Sequence, residues 1–478
     1  MQQFAHKRDY NPVVAASFQF DHAVAFAPER ADEILRSIPA QPGVFALRGP
    51  RTEDAPYLTQ TTDLRRRMRR LLDPPESQSK RLNLREKVAR IEYCLTGSPF
   101  ESSLVLYDAT AALFGYSDAR RRLKLHTPYF LRMTMENAFP RVYSTNKLSK
   151  RGLAQMYGPF PSRLAAERYC DAVLDLFKLR RCYEDLAPYP EHPGCVYGEM
   201  NKCIEPCKQA CTPEQYAAEA AAVKKFFDTR GESMIIEIGL AREEASSGMQ
   251  FEKAAALHAQ WQKVKAAQSL ADWAVRPVPK LRAIIVQRAA PDDEHPDHAA
   301  LFLLEGGCIV GPERLSTLGV RAVREQTSVG SSLFAQPLML QAVPLEGEPA
   351  TDSAVNSPED RAAHALKSLE EKAGKPNDLA LLSDHLSLLR RWYYRPEKQR
   401  IGEIFFANED GTWPIRKILR GAARTVIGDP KPMADTNRDA AKAAAKDIRT
   451  RTLHEGRPDV ERTIPVLPKK PSSSDQKP

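Results

Sequence analysis

Five of the eight cysteines fall within thirty residues: Cys182, Cys195, Cys203, Cys207 and Cys211, in the stretch CYEDLAPYPEHPGCVYGEMNKCIEPCKQAC. Twelve, seven, three and three residues separate them in turn. Thiolates are soft donors, and four converging on one point suit zinc or an iron–sulfur cluster. A disulfide framework is the alternative. Against it, the opening residues MQQFAHKRDY lack the apolar core of a secretory signal, and a 478-residue chain can bury a core without covalent staples. Ordinary buried cysteines would be scattered, as Cys94, Cys170 and Cys308 are. The close pair Cys203/Cys207 suits zinc as well as iron, so spacing leaves the metal open.

A second chemistry-bearing stretch lies upstream. Residues 64–90 carry ten Lys or Arg (Arg65, Arg66, Arg67, Arg69, Arg70, Lys80, Arg81, Arg85, Lys87 and Arg90) against three acids. The whole chain is also basic, with a net charge of +9. Clustered cations release counterions from a phosphate backbone, so the run is either a nucleic-acid surface or a solvated helix face. No apolar run approaches the ~18 residues of a membrane helix, which, with the missing signal, leads us to expect a cytoplasmic protein. There is no internal repeat and no glycine-rich phosphate loop.

The elements that must position these residues follow from periodicity and punctuation. Ala31–Ile38 reads as a short helix, and Pro42-Gly43 leads into a strand over Val44–Leu47. Tyr57–Thr59 reads as a second strand, hairpin-paired with the first, after which Thr62 or Asp63 caps the basic helix. A third strand over Ile91–Thr96 precedes a helix over FESSLVLYDATAALF. The stretch 157–182 holds an amphipathic helix running to Cys182, with Ala172, Val173, Leu176 and Leu179 on its core side. Thr212–Ala271 is helical, opened by a Thr212 cap and Pro213. From Leu281 strands return, in LRAIIVQR, AALFLLEGGCIV and PLMLQAVPL.

These motifs resemble the GIY-YIG nuclease superfamily and, within it, the UvrC family. GVF at 43–45 stands where GIY would, and YLT at 57–59 where YIG would. The family pattern then retains Tyr57 as the catalytic tyrosine and Arg67 as the phosphate-gripping helix arginine, with Arg65, Arg66, Arg69 and Arg70 beside it for DNA. Phe45 replaces the first tyrosine, Thr59 the glycine, and Gln60 the lysine that follows. FESSLVL aligns with the family's FEALLLE and puts Leu106 at the position of the metal-holding glutamate. Glu101 matches the earlier glutamate, and Asp108 lies about 200° around the helix from Leu106. Magnesium therefore has no ligand in register.

The resemblance continues through HTPYFLRMTMENAFPRVYST and YGPFPSRLAAERYCDAVLDLFKLRRC to the cysteines. It implies that Cys182, Cys195, Cys203 and Cys207 hold a 4Fe–4S cluster, with zinc as the alternative and Cys211 spare. AREEASSGMQFEKAAALHAQWQKVKA resembles the UVR hairpin through which UvrC proteins contact UvrB, and it implies Phe251, Ala254, Ala255 and Leu257 as the partner surface. Trp261 extends that apolar side.

The expected architecture is α+β and multidomain. It comprises an N-terminal segment (1–37), a GIY-YIG-like domain (38–150), a cysteine-rich iron–sulfur segment (151–212) and a helical region with the UVR motif (213–272). A mixed α/β region (280–428) and a low-complexity basic tail (429–478), read as disordered, complete it. The fifty residues after Gly428 leave no room for the family's RNase-H-like nuclease domain of roughly 100 residues. The expected function is a DNA-binding nucleotide-excision-repair protein with a degenerate nuclease site and a UvrB-like helicase subunit as partner. An incision nuclease using Glu101 or Asp108 as substitute acid, and a cluster-bearing interaction scaffold, are the alternatives.

Overall fold

The two short apolar runs flanking the polar turn at 49–56 pair as a hairpin in the computed structural model. The structure describes residues 18–51, 53–74, 82–184, 186–292, 294–320, 357–374, 378–396 and 399–428, with the backbone of 449–454 and 461–466. The first sheet is built from β1 (His22–Ala25), β2 (Gly43–Arg48), β3 (Tyr57–Thr61) and β4 (Arg90–Leu95), in the antiparallel order β1-β4-β2-β3. Helices α1 (Ala31–Ser37) and α2 (Leu64–Leu72) cover one face. There Phe45 and Leu47 pack with Leu35, Ile38, Leu64 and Met68, as strand alternation requires. Gly43 is obligatory where β2 crosses β4, because a Cβ would stand 2.4 Å from the Cys94 carbonyl oxygen. Asp63, not Thr62, caps α2, its carboxylate accepting from the Arg66 amide at 2.8 Å.

Helix α3 (Pro99–Phe114) starts at the Ser98 cap and is followed by α4 (Tyr116–Arg122). Strands β5 (Tyr129–Met133), β6 (Val142–Thr145) and β7 (Met156–Phe160) form a second antiparallel sheet, ordered β6-β5-β7. Next comes α5 (Arg163–Leu174). It ends eight residues before Cys182, short of the expected helix to that cysteine. Tertiary contacts with the next long helix take over: Phe177 packs edge-on against Phe226, the Lys178 amide bonds Glu219, and the Arg180 amide bonds the Tyr216 hydroxyl. Leu176 and Leu179 still pack on the same core, from a turn and an extended segment rather than a helix.

A single turn of helix, α6 (Val196–Glu199), crosses the cysteine segment. Three long helices follow: α7 (Pro213–Asp228), α8 (Glu232–Ser247) and α9 (Phe251–Ser269). Thr212 and Gln215 close a reciprocal capping box on α7. Strand β8 (Arg276–Pro277) then joins the second sheet beside β7.

The third sheet contains β9 (Arg282–Arg288), β10 (His298–Glu305), β11 (Cys308–Ser316) and, after helices α10 (Pro358–Lys372) and α11 (Leu379–Tyr393), β12 (Glu403–Phe406). Its antiparallel order is β11-β10-β9-β12, and α12 (Ile415–Ile427) closes the unit. The expected strand PLMLQAVPL lies outside the described residues, as do Lys80, Arg81 and most of the tail. Within the tail, β13 (Arg449–His454) and β14 (Glu461–Val466) pair antiparallel.

Helix α11 ties distant parts of the chain together. Asp384 accepts from Tyr107 of α3 at 3.0 Å and from Arg120 of α4 at 2.7 Å, and Ser387 accepts from the His126 amide. One core accordingly contains Phe100, Leu104 and Tyr107 together with Phe302, Leu386 and Trp392. Among the described residues no helix is long and apolar enough to cross a membrane.

Candidate nuclease-like site and cysteine centre

Strand β3 and helix α2 bring Tyr57 and Arg67 together. The guanidinium donates from Nη2 to the Tyr57 hydroxyl over 3.0 Å, and both side chains are half-buried. Among the described residues Arg67 makes no ion pair with a carboxylate. Phe45 is fully buried, and its ring lies 6.3 Å from that of Tyr57.

Leu106 is not part of this pair. It lines a cleft of ≈ 180 Å³ on the side of α3, shared with Gln60, Ser103, Arg391, Trp392 and Arg395. Alternation along β3 sends Tyr57 toward α2 and Gln60, three residues on, toward α3. The cleft wall carries two guanidiniums and no carboxylate. Arg391 is held there by its bonds to the carbonyls of Leu123 and Lys124 at the end of α4.

The two acids weighed as substitutes point elsewhere. Glu101 is buried at the start of α3, where its carboxylate accepts from the Gly97 amide at 2.7 Å. Burial pushes its carboxyl up to about 7. Asp108 is exposed and Leu106 half-buried, two residues apart on α3. Arg66, Arg69 and Arg70 are exposed on α2, without ion-pair partners among the described residues. Arg65 differs from them: its Nε donates to the Ile38 carbonyl at 2.7 Å, which ties α2 to α1.

The cysteine segment is shaped by its backbone. Cys195 opens α6, and the short turn that carries Cys207 is flanked by two left-handed residues, Glu205 at φ 50° and Gln209 at φ 57°. The Tyr189 amide bonds the Cys207 carbonyl and the Ile204 amide the Lys178 carbonyl. Cys203 and Cys207 are buried, Cys182 and Cys195 half-buried, and all are free thiols. Burial pushes Cys203 up to about 12, and the neighbouring Cys195, Cys182 and Cys207 add to the rise. Cys182, Cys195 and Cys207 therefore all bear on the Cys203 thiol. Even so, among the described residues no three His, Cys, Asp or Glu side chains form a group able to hold a metal ion as they stand. The donor chemistry nevertheless fits a thiophilic centre. The Glu205 amide approaches the Cys203 sulfur at 3.4 Å, and the buried Arg180 approaches that of Cys182 at 3.6 Å; such N–H donors stabilise thiolates.

Helices α8 and α9 form the hairpin, with the turn at Gly248–Gln250. The apolar residues of α9 divide between two faces. Val264 and Ala267 are buried, with Leu257 and Trp261 packed beside them, whereas Phe251 and Ala255 are exposed and Ala254 is half-buried. Ile236, Leu240 and Met249 are exposed on the same hairpin.

The stretch 128–226, from β5 through α7 and including all four cysteines, matches the family model described as UvrC/Cho excinuclease, middle domain. UvrABC system protein C of Desulforudis audaxviator is 27% identical over 237 residues, covering 49% of this chain and 37% of the relative. That of Koribacter versatilis is 29% identical over 226 residues, covering 46% and 36%. Over these stretches the chain is similar to UvrC proteins. The Haloarcula marismortui protein of the same name is 28% identical over 292 residues, covering 59% of this chain and 48% of the relative. The first two matches span just over a third of those UvrC proteins' length. No solved structure matches.

Two features of this UvrC-like chain carry no local signal in its sequence. Arg391 and Arg395 reach the α3 cleft from nearly 300 residues away. Arg230, Trp273 and Arg276 gather at a second, larger cleft, although 42 residues separate Arg230 from Trp273.

Proposed function

We propose that this chain is a cytoplasmic nucleotide-excision-repair protein that binds DNA and has lost the nuclease chemistry of its GIY-YIG-like domain. The observation that carries this reading is that Leu106 lies apart from the Tyr57–Arg67 pair, in an α3 cleft whose lining holds no carboxylate. Hydrolysis of a phosphodiester needs a base, a cation on the phosphate and a metal to stabilise the leaving oxygen. Tyr57 and Arg67 supply the first two groups. At the third, Leu106 offers no oxygen, and Arg391 and Arg395 would repel a divalent cation rather than hold it. The exposed Arg66, Arg69 and Arg70 remain suited to the phosphate backbone.

In this reading Cys182, Cys195, Cys203 and Cys207 hold a 4Fe–4S cluster, or zinc. Four thiolates without an open position suit a structural role. Phe251 and the exposed apolar residues beside it dock a UvrB-like subunit, and Phe251→Asp separates that contact from DNA binding. The test is salt-dependent binding of duplex DNA without magnesium-dependent nicking.

A further inference from the structure

A cleft of ≈ 850 Å³ opens where the α7–α8 turn, β8, β12 and the start of α12 meet, with Arg230, Trp273, Arg276, Lys280, Phe406 and Lys417 in its lining. Arg230 sits in the turn after α7 with a left-handed backbone, φ 54°, and Gln268 fixes its carbonyl at 3.1 Å. Its guanidinium carbon lies 4.0 Å from the centre of the Trp273 ring, and its Nε is buried without a hydrogen-bond partner. The Arg276 guanidinium lies 4.7 Å from the Phe406 ring and 5.8 Å from that of Trp273. Among the described residues neither arginine makes an ion pair within 4.0 Å. Three acids share the lining: Glu232 acts on both arginines and Glu409 on Arg276 only at longer range, while Asp228 is taken up by Tyr157 and Lys224.

Two half-buried guanidiniums on one aromatic ring repel each other and are poorly solvated. An anion with several acceptor oxygens would relieve both penalties, and phosphate matches the guanidinium fork. The exposed lysines Lys280 and Lys417 continue the positive wall, while Arg282 is already occupied by Glu305 and Glu370. Trp273 is 55% exposed although it is the largest apolar side chain in the cleft. A flat ring that carries cations and is still more than half exposed offers a base a stacking surface. An acidic peptide would answer the cations but not the ring.

We infer that this cleft binds an unpaired nucleotide of a single-stranded nucleic acid, with the base on Trp273 and the phosphate on Arg230 and Arg276. The inference rests on the DNA-binding reading above and adds a second, strand-selective site to the duplex contact expected at α2.

Fluorescence anisotropy of the full chain with a labelled oligothymidylate and, separately, a labelled duplex tests it. Trp273→Ala is expected to weaken oligothymidylate binding about tenfold, with Trp273→Phe keeping most of the affinity and Arg230→Gln weakening it comparably. Duplex binding is expected to hold in all three variants, with melting temperatures confirming that each is folded. If Trp273→Ala and Arg230→Gln bind oligothymidylate as tightly as the parent while duplex binding persists, the inference fails alone. Should polyglutamate displace oligothymidylate equally well, the cleft reads charge only and the stacking assignment falls. A parent chain that binds neither DNA sinks the DNA-binding reading as well.

Discussion

The Arg67 guanidinium donates to the Tyr57 hydroxyl over 3.0 Å, and no carboxylate among the described residues pairs with that guanidinium. The two side chains proposed as the remnant of a phosphodiesterase site thus bond each other. Tyr57→Phe should leave the half-buried guanidinium without its partner and lower stability by about 0.5–1.5 kcal/mol. Duplex affinity should not change. Chemical denaturation and anisotropy on the same preparation check both.

The basic helix divides by contact. Arg66, Arg69 and Arg70 face solvent, whereas Arg65 is committed to the Ile38 carbonyl. Replacing the three exposed arginines by glutamine should flatten the slope of log affinity against log salt for duplex DNA by about 3. Arg65→Gln should instead lower the melting temperature and leave that slope intact. An unchanged slope in the triple variant would move the phosphate contacts off α2.

Much of this layout was legible from local signals. Pro42-Gly43, the Asp63 cap and the Thr212–Gln215 capping box are short-range devices, and the strands and helices they bound lie where expected. The end of α5 was not legible, because Glu219 and Tyr216 of α7 capture the backbone at Lys178 and Arg180. The split of the hairpin's apolar residues was hidden for a related reason. Helical spacing marks Phe251, Leu257 and Trp261 as apolar, but only packing shows that α9 turns the later pair toward the core, half-buried, and leaves Phe251 out. Most remote of all was the α3 cleft, whose arginines come from α11 and the turn after it, held to α3 by the buried Asp384 bonds.

The cysteines differ in burial and position. Cys203→Ser and Cys207→Ser should abolish bound metal and lower the melting temperature, while Cys211→Ser should retain it. Iron, sulfide and zinc contents of anaerobically purified protein check this. Absence of all three from the parent chain would overturn the metal assignment.

Glu101 gives a pH signature. Its carboxyl is raised to about 7 by burial, above the ~4.3 of an unfolded chain. The folded state therefore binds the extra proton between these values. The neutral carboxyl's contribution is complete below about pH 4 and is lost as pH rises through 7, on the order of 3 kcal/mol in all. Glu101→Gln stays neutral, so the stability of the variant minus that of the parent should rise across this window. A difference that stays flat from acid to neutral pH would show that the carboxyl is not raised.

Incision of a lesion-bearing duplex is the most direct test. Anaerobically purified full chain, incubated with magnesium and such a duplex, is predicted to bind the DNA and leave both strands intact. Magnesium-dependent nicking by the parent chain, abolished by Arg67→Gln, would contradict the loss of nuclease chemistry.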